Sequence, residues 1–391
     1  MTTIGVLGRP WRADVTPWGA VDPWLGTHRL DWWVAADDRW HVPEHETTLR
    51  QRRLEGAPVV ETRVKVPTGD VVQRVYAVAD EGGLTVVEFE NASTLPVAVA
   101  LSHPDVLTTR PPADVPIQGI DLPAEAIVLP LGHHSTVQVA LAHDGRRRGP
   151  LTASLPSALH VARGWLLQME RASRLLLPDG SWVERVTSAR CDLALAGIDA
   201  PEDDPVAFLL GAHDLSRLGA STEDWIPMVV DAAEKMARGA ARAGGPTWDE
   251  DRALVATCAV LTTAHEMRGA ADVGAMRLRL GERRSTALAP PDGVRAAAWV
   301  EDQLARPAPD GSCALLPTGF PPSWLGADFE CYRLPAGDGA DVSFAVRWHG
   351  ERPALLWELH GAPSIRLTGG GADPGWSTTD GHGEALLAAP A

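Results

Sequence analysis

The stretch Asp341–His360, DVSFAVRWHGERPALLWELH, reads as one β-hairpin. Val342, Phe344, Val346 and Trp348 alternate with Ser343, Ala345, Arg347 and His349, the period of two of a strand with one buried face. Gly350-Glu351 supplies a two-residue turn, and glycine in its first central place suits type II′ geometry. A fixed turn fixes the register. His349 then opposes Arg352, Trp348 opposes Pro353, Val346 opposes Leu355, Phe344 opposes Trp357, and Ser343 opposes Glu358. One face is apolar core. The other carries Arg347, His349, Arg352 and Glu358 beside Ala and Leu356, and reads as a ligand site, a domain interface or a solvated surface.

Working outward, residues 307–391 add the strand DFECYRL, the strand SIRLTGG and a turn-rich tail suited to covering a neighbouring domain. Residues 1–150 read as β throughout. After a lead-in rich in Pro, Gly and Trp, VVETRVKV alternates strictly, and VVQRVYAVA, LTVVEFEN, VAVALS, AIVLPL and STVQVALA follow between turn signals. Many short strands of this kind predict an antiparallel sandwich. Residues 151–306 switch to a helical period. About seven helices are predicted: SALHVARGWLLQMERASRLLL, a segment ending at Gly197, one opening at Asp204-Pro205, EDWIPMVVDAAEKMARGAARAG, WDEDRALVATCAVLTTAHEMRG, 271–280, and GVRAAAWVEDQLA. The fold class is therefore multidomain α+β, with domains at 1–150, 151–306 and 307–391.

The chain has 391 residues, a formal net charge of −16 and a pI near 5.2. That balance argues against nucleic acid and anionic membranes as partners, because both reward clustered positive charge. Lys65 and Lys235 are the only lysines, a bias of GC-rich bacterial genomes such as an actinomycete's. Cys191, Cys258, Cys313 and Cys331 show no CxxC spacing, the N-terminus shows no signal-peptide pattern, and a reducing cytoplasm is the expected location. Fifteen tryptophans stand against five Phe and two Tyr. Their faces can stack on sugar rings, although most of them are better explained as core residues of a β domain.

This order, with VEFENASTLPVAVAL, the Trp165 helix ending in LLLPDGSW, and LGAHDLSRLG before an Ala-rich helix, resembles the six-hairpin (α/α toroid) glycosidases, glucoamylase-like or maltose-phosphorylase-like. The resemblance implies a β-sandwich, a ring of helical hairpins and a C-terminal β domain. A complete ring has twelve helices, so about seven imply a partial toroid and put catalysis in doubt.

Glycoside hydrolysis needs two carboxylates about 5–9.5 Å apart. Acidic clusters occur at 202–204, 223–224 and 249–251, each beginning a predicted helix. Ser221-x-x-Asp224 and Thr247-x-x-Glu250 also fit capping boxes, which place acids there for structural reasons. Asp249 and Glu250 beside Trp248 form the candidate catalytic pair with its aromatic neighbour. Arg347, His349, Arg352 and Glu358 form the candidate ligand face. No metal site or cofactor is expected. His265-Glu266 lacks the second histidine of HExxH, and His133-His134, placed on a strand, would point to opposite faces. The leading expectation is a non-catalytic or degenerate glycosidase-like protein binding carbohydrate or a protein partner. The alternatives are an active hydrolase or phosphorylase and a structural scaffold.

Overall fold

The computed structural model describes residues 1–25, 28–114, 118–152, 154–284, 289–337, 339–361 and 365–390. Ser364 of the expected strand SIRLTGG lies outside them. The chain divides into two compact units, Met1–Leu166 and Leu167–Ala391. The expected segments 151–306 and 307–391 fall mainly in the second.

In the first unit, a seven-stranded sheet runs in the order Gly149–Pro150, Leu107–Thr108, Thr136–Ala142, Leu84–Asn91, Gly69–Val78, Val60–Val66, Arg50–Arg53. A four-stranded sheet is ordered Ile127–Leu131, Val97–Leu101, Trp32–Ala35, Trp40–His41. Val60, Val64, Val75, Val87 and Phe89 of the first share one apolar core with Trp32, Val34, Val99 and Leu129 of the second. The alternation read in VVETRVKV is real: Val60, Val64 and Val66 enter this core. On the opposite face Arg52, Glu61, Arg74, Glu88 and Gln138 stand directly opposed across five strands. Glu61 is buried there because Arg52, Arg63 and Arg74 each donate to its carboxylate. The Trp-rich lead-in is not irregular. It forms a three-stranded sheet from Thr2–Gly5, Arg12–Val15 and Val21–Pro23, strands too short to show an alternating pattern.

Seven α-helices occur among the described residues: α1 (Ala158–Met169), α2 (Gly180–Ala196), α3 (Pro205–Arg217), α4 (Ile226–Arg242), α5 (Trp248–Thr263), α6 (Met267–Leu280) and α7 (Val294–Leu304). Asp204 caps α3 by accepting from the Ala207 amide at 3.0 Å, with Pro205 in the first turn. Three expectations change. The apolar run after α1 leaves the helix, and Arg174–Leu176 becomes an edge strand with Leu175 in the core. The segment expected to run through Gly269 breaks at His265, whose φ of 62° is left-handed, and α6 starts there. Ser221 and Asp224 form no capping box, since Thr222 precedes a short 3₁₀ turn without a side-chain cap.

The second unit contains two sheets. One is ordered Arg174–Leu176, Phe329–Gly337, Ala340–His349, Arg352–His360, His382–Leu386, and the other Ala305–Pro307, Ser312–Leu315, Arg366–Gly369, Asp373–Thr378. Both share a core with α2 and α7 through Val186, Ala189, Trp299, Val300, Leu315 and Leu367. The Asp341–His360 hairpin has the register the sequence dictates, from His349 opposite Arg352 to Ser343 opposite Glu358. The tail differs from expectation: Asp373–Thr378 and His382–Leu386 extend these two sheets. Of the fifteen tryptophans, all among the described residues, only Trp24 is exposed, at 53%.

Gly383 lies opposite Trp357, and a Cβ at Gly383 would sit 2.6 Å from the indole. A Gly383→Ala variant is expected to lose about 1–3 kcal/mol in urea unfolding. Gly381→Ala, with no atom within 4 Å of the added carbon, should unfold like the parent. Equal stabilities for the two would refute this packing.

Candidate functional site

Asp249 and Glu250 occupy the first turn of α5. Thr247 is its N-cap: the Glu250 amide donates to Thr247 Oγ1 at 3.3 Å, and the Thr247 amide donates to Glu250 Oε2 at 2.7 Å. This is the reciprocal capping box that Thr247-x-x-Glu250 allowed. Asp249 accepts from Thr247 Oγ1 at 2.5 Å and from Arg295 Nε at 3.1 Å. The two nitrogens at the tip of Arg295 clasp Asp204 at 2.8 and 2.9 Å, so one guanidinium on α7 ties together the starts of α3 and α5. Trp248 is half-buried and packs against the core of the second unit.

The candidate ligand face lies on the five-stranded sheet, and register shows what shares it. Leu176, Glu330, Ala345, Leu356 and Glu384 stand directly opposed in one row. Arg347, Ala354 and Leu386 form the next. The rows between point the other way, with Cys331, Phe344 and Trp357 in the core. Leu176, Tyr332, Leu356 and Leu386 are exposed here, Leu386 by 49%. Arg347 and the Tyr332 hydroxyl both donate to Glu330, and the Arg174 guanidinium lies 5.9 Å from the Tyr332 ring centre. The Tyr332 and Arg347 hydrogen bonds hold the Glu330 carboxyl below the usual range. Arg352 donates to the Leu386 and Leu387 carbonyls, while His349 and Glu358 are exposed. The structure therefore brings Arg347, His349, Arg352 and Glu358 onto one face, separate from the Trp248–Glu250 turn in sequence and in element.

The sequence reading missed the largest concentration of charge, inside the helical layer. Glu301 of α7 accepts from Arg190 Nη2 of α2 at 2.7 Å, from Arg217 Nη1 of α3 at 3.0 Å, and from Ser173 Oγ at 2.7 Å. Asp302 accepts both terminal nitrogens of Arg283 at 2.8 Å and Arg306 Nε at 3.1 Å. Arg283 continues to Asp251 of α5 at 2.7 Å, which Arg277 of α6 also clasps. Burial alone would push the Glu301 carboxyl up, but Arg217, Arg190 and Arg252 override it and hold it far below the usual range. Asp251 and Asp302 are depressed likewise, by Arg277 and Arg283 respectively, against the same burial. The available signal was Glu301-Asp302 directly after the apolar run AAAWV, on a stripe that must face inward.

A groove of about 470 Å³ opens between α5, α6 and the turn at 308–311, walled by Val255, Cys258, Ala271 and Leu278. Its one carboxylate, Asp310, accepts from the amide and hydroxyl of Ser312 at 2.9 and 2.6 Å. His133 and His134 lie in a turn, not on a strand, and their rings meet at 3.8 Å because His134 takes a φ of 49°.

Thr247→Ala is expected to cost about 1 kcal/mol, the usual worth of an N-cap, by urea titration. The buried acids set a second expectation. Carboxyls depressed in the fold contribute stability that is complete above their unfolded pKa, about 4, and lost as pH falls through the folded values. The urea midpoint should fall on acidification below about pH 4. Asp302→Asn should start less stable and lose less to acid; an acid loss equal to the parent's would contradict the network's role.

No protein-family model matches this chain, and no curated protein matches it.

Proposed function

We propose that this chain is a non-catalytic binding protein built on the plan of the six-hairpin glycosidases. It has an N-terminal β-sandwich, a partial α/α-hairpin layer and a small C-terminal β domain whose outer sheet face receives a protein partner. The observation that carries this reading is the contrast between the two candidate sites. Asp249 and Glu250 are spent on the capping box and on Arg295, whereas the sheet face leaves Leu176, Leu356 and Leu386 open to solvent. Exposed leucines interleaved with charged groups on one sheet face suit a protein interface. Glu330, held by Arg347 and Tyr332, lies between Leu176 and Leu356 in its row, and Leu386 stands in the row of Arg347. The four cysteines are buried, which suits a reducing cytoplasm.

A carbohydrate ligand is the second reading, and it rests on Trp24. This indole is exposed while its N–H is fixed on Asp14 at 2.9 Å, so its ring is presented in one orientation.

The test is cross-linking in the native host, comparing the parent chain with a Leu356→Glu/Leu386→Glu variant. Both positions are exposed, so the fold should change by no more than about 0.5 kcal/mol. One partner recovered in stoichiometric yield with the parent and lost with the variant is the expected result. Identical partners for both, or turnover of an oligosaccharide by the purified parent, would overturn the proposal.

A further inference from the structure

Arg252 of α5 is 3% exposed, and among the described residues nothing accepts a hydrogen bond from its Nε or Nη1. Its closest carboxylate oxygens are Glu301 Oε2, 3.8 Å from an Nη atom, and Asp302 Oδ1, 3.9 Å from Nε. Both exceed hydrogen-bonding distance. A buried guanidinium left in this state is costly, and a separation beyond about 3.5 Å is the usual mark of a bridging molecule.

A small space of about 10 Å³ lies beside it. His213 and Asp214 of α3, Arg252 of α5 and Glu301 of α7 line it, with Ala256 and Ala298 among its apolar walls. One water needs roughly 10–15 Å³ on this measure and two to four polar partners. We propose that this space is an internal binding site for a single water molecule, which accepts from Arg252 and donates to Asp214 and Glu301. Two lone pairs and two protons match the donor and the acceptors that face the space. A monatomic anion is disfavoured because two carboxylates, Asp214 and Glu301, line the space. His213 adds no positive charge: burial and the cations of Arg217, Arg252 and Arg190 keep its ring neutral. The water completes the arginine–carboxylate network and joins α3, α5 and α7 where their side chains fall short of one another.

The test is a high-resolution crystal structure of the full chain, determined with and without bromide in the mother liquor, beside that of Arg252→Met. A full-occupancy peak within hydrogen-bonding distance of Arg252 and one carboxylate is expected, without anomalous signal in bromide and absent from the variant. A dry cavity, Arg252 bonded directly to Glu301 or Asp302, or an anomalous bromide peak at the site would each overturn the assignment.

Discussion

Glu301 accepts from Arg190, Arg217 and Ser173 while shut away from solvent, and the second unit is arranged around that convergence. A lone carboxylate at this depth would cost several kcal/mol in lost hydration, so its partners must be held in place. They come from α2, α3 and the segment after α1, and Glu301 belongs to α7. No one of these helices can slide without stranding a charge. Asp302, one residue on, extends the same constraint through Arg283 to Asp251 on α5. Because α5 is buried along most of its length, α3, α4, α6 and α7 can all pack against it.

That arrangement bears on function. Carboxylates that do acid–base chemistry need a proton to give or take near working pH. Glu301 and Asp302 are pinned in the ionised form by arginine, burial pushes the Asp214 carboxyl up, and the acids at the helix starts are engaged by Thr247, Arg295 and backbone amides. On the surface of the five-stranded sheet, by contrast, leucines stand in the open on either side of the Arg347–Glu330 ion pair.

The features legible in the sequence were those decided within a few residues. The Gly350-Glu351 turn and the alternation on either side specify the whole hairpin register. Asp204-Pro205 and Thr247-x-x-Glu250 each name a helix start through one local hydrogen bond. What escaped was decided at a distance. Arg174–Leu176 becomes a strand because Phe329–Gly337 is there to pair with it, and the tail is ordered by strand partners and by the Trp357 ring lying on Gly383. Arg190 and Glu301 are 111 positions apart, and neither shows by its neighbours that the other exists. The tryptophans are mostly core, as expected: Trp182, Trp299 and Trp324 pack on one another inside the second unit.

The most direct test of the account is a double-mutant cycle on Arg190 and Glu301, read by urea unfolding. Arg190→Met and Glu301→Gln should each cost about 3–5 kcal/mol, because each leaves buried charge or polar groups without a partner. The double variant should cost less than their sum by well over about 0.5 kcal/mol, since it strands neither member of the pair. Additive losses would mean that the two residues act independently, and that the charged core does not hold the helices together.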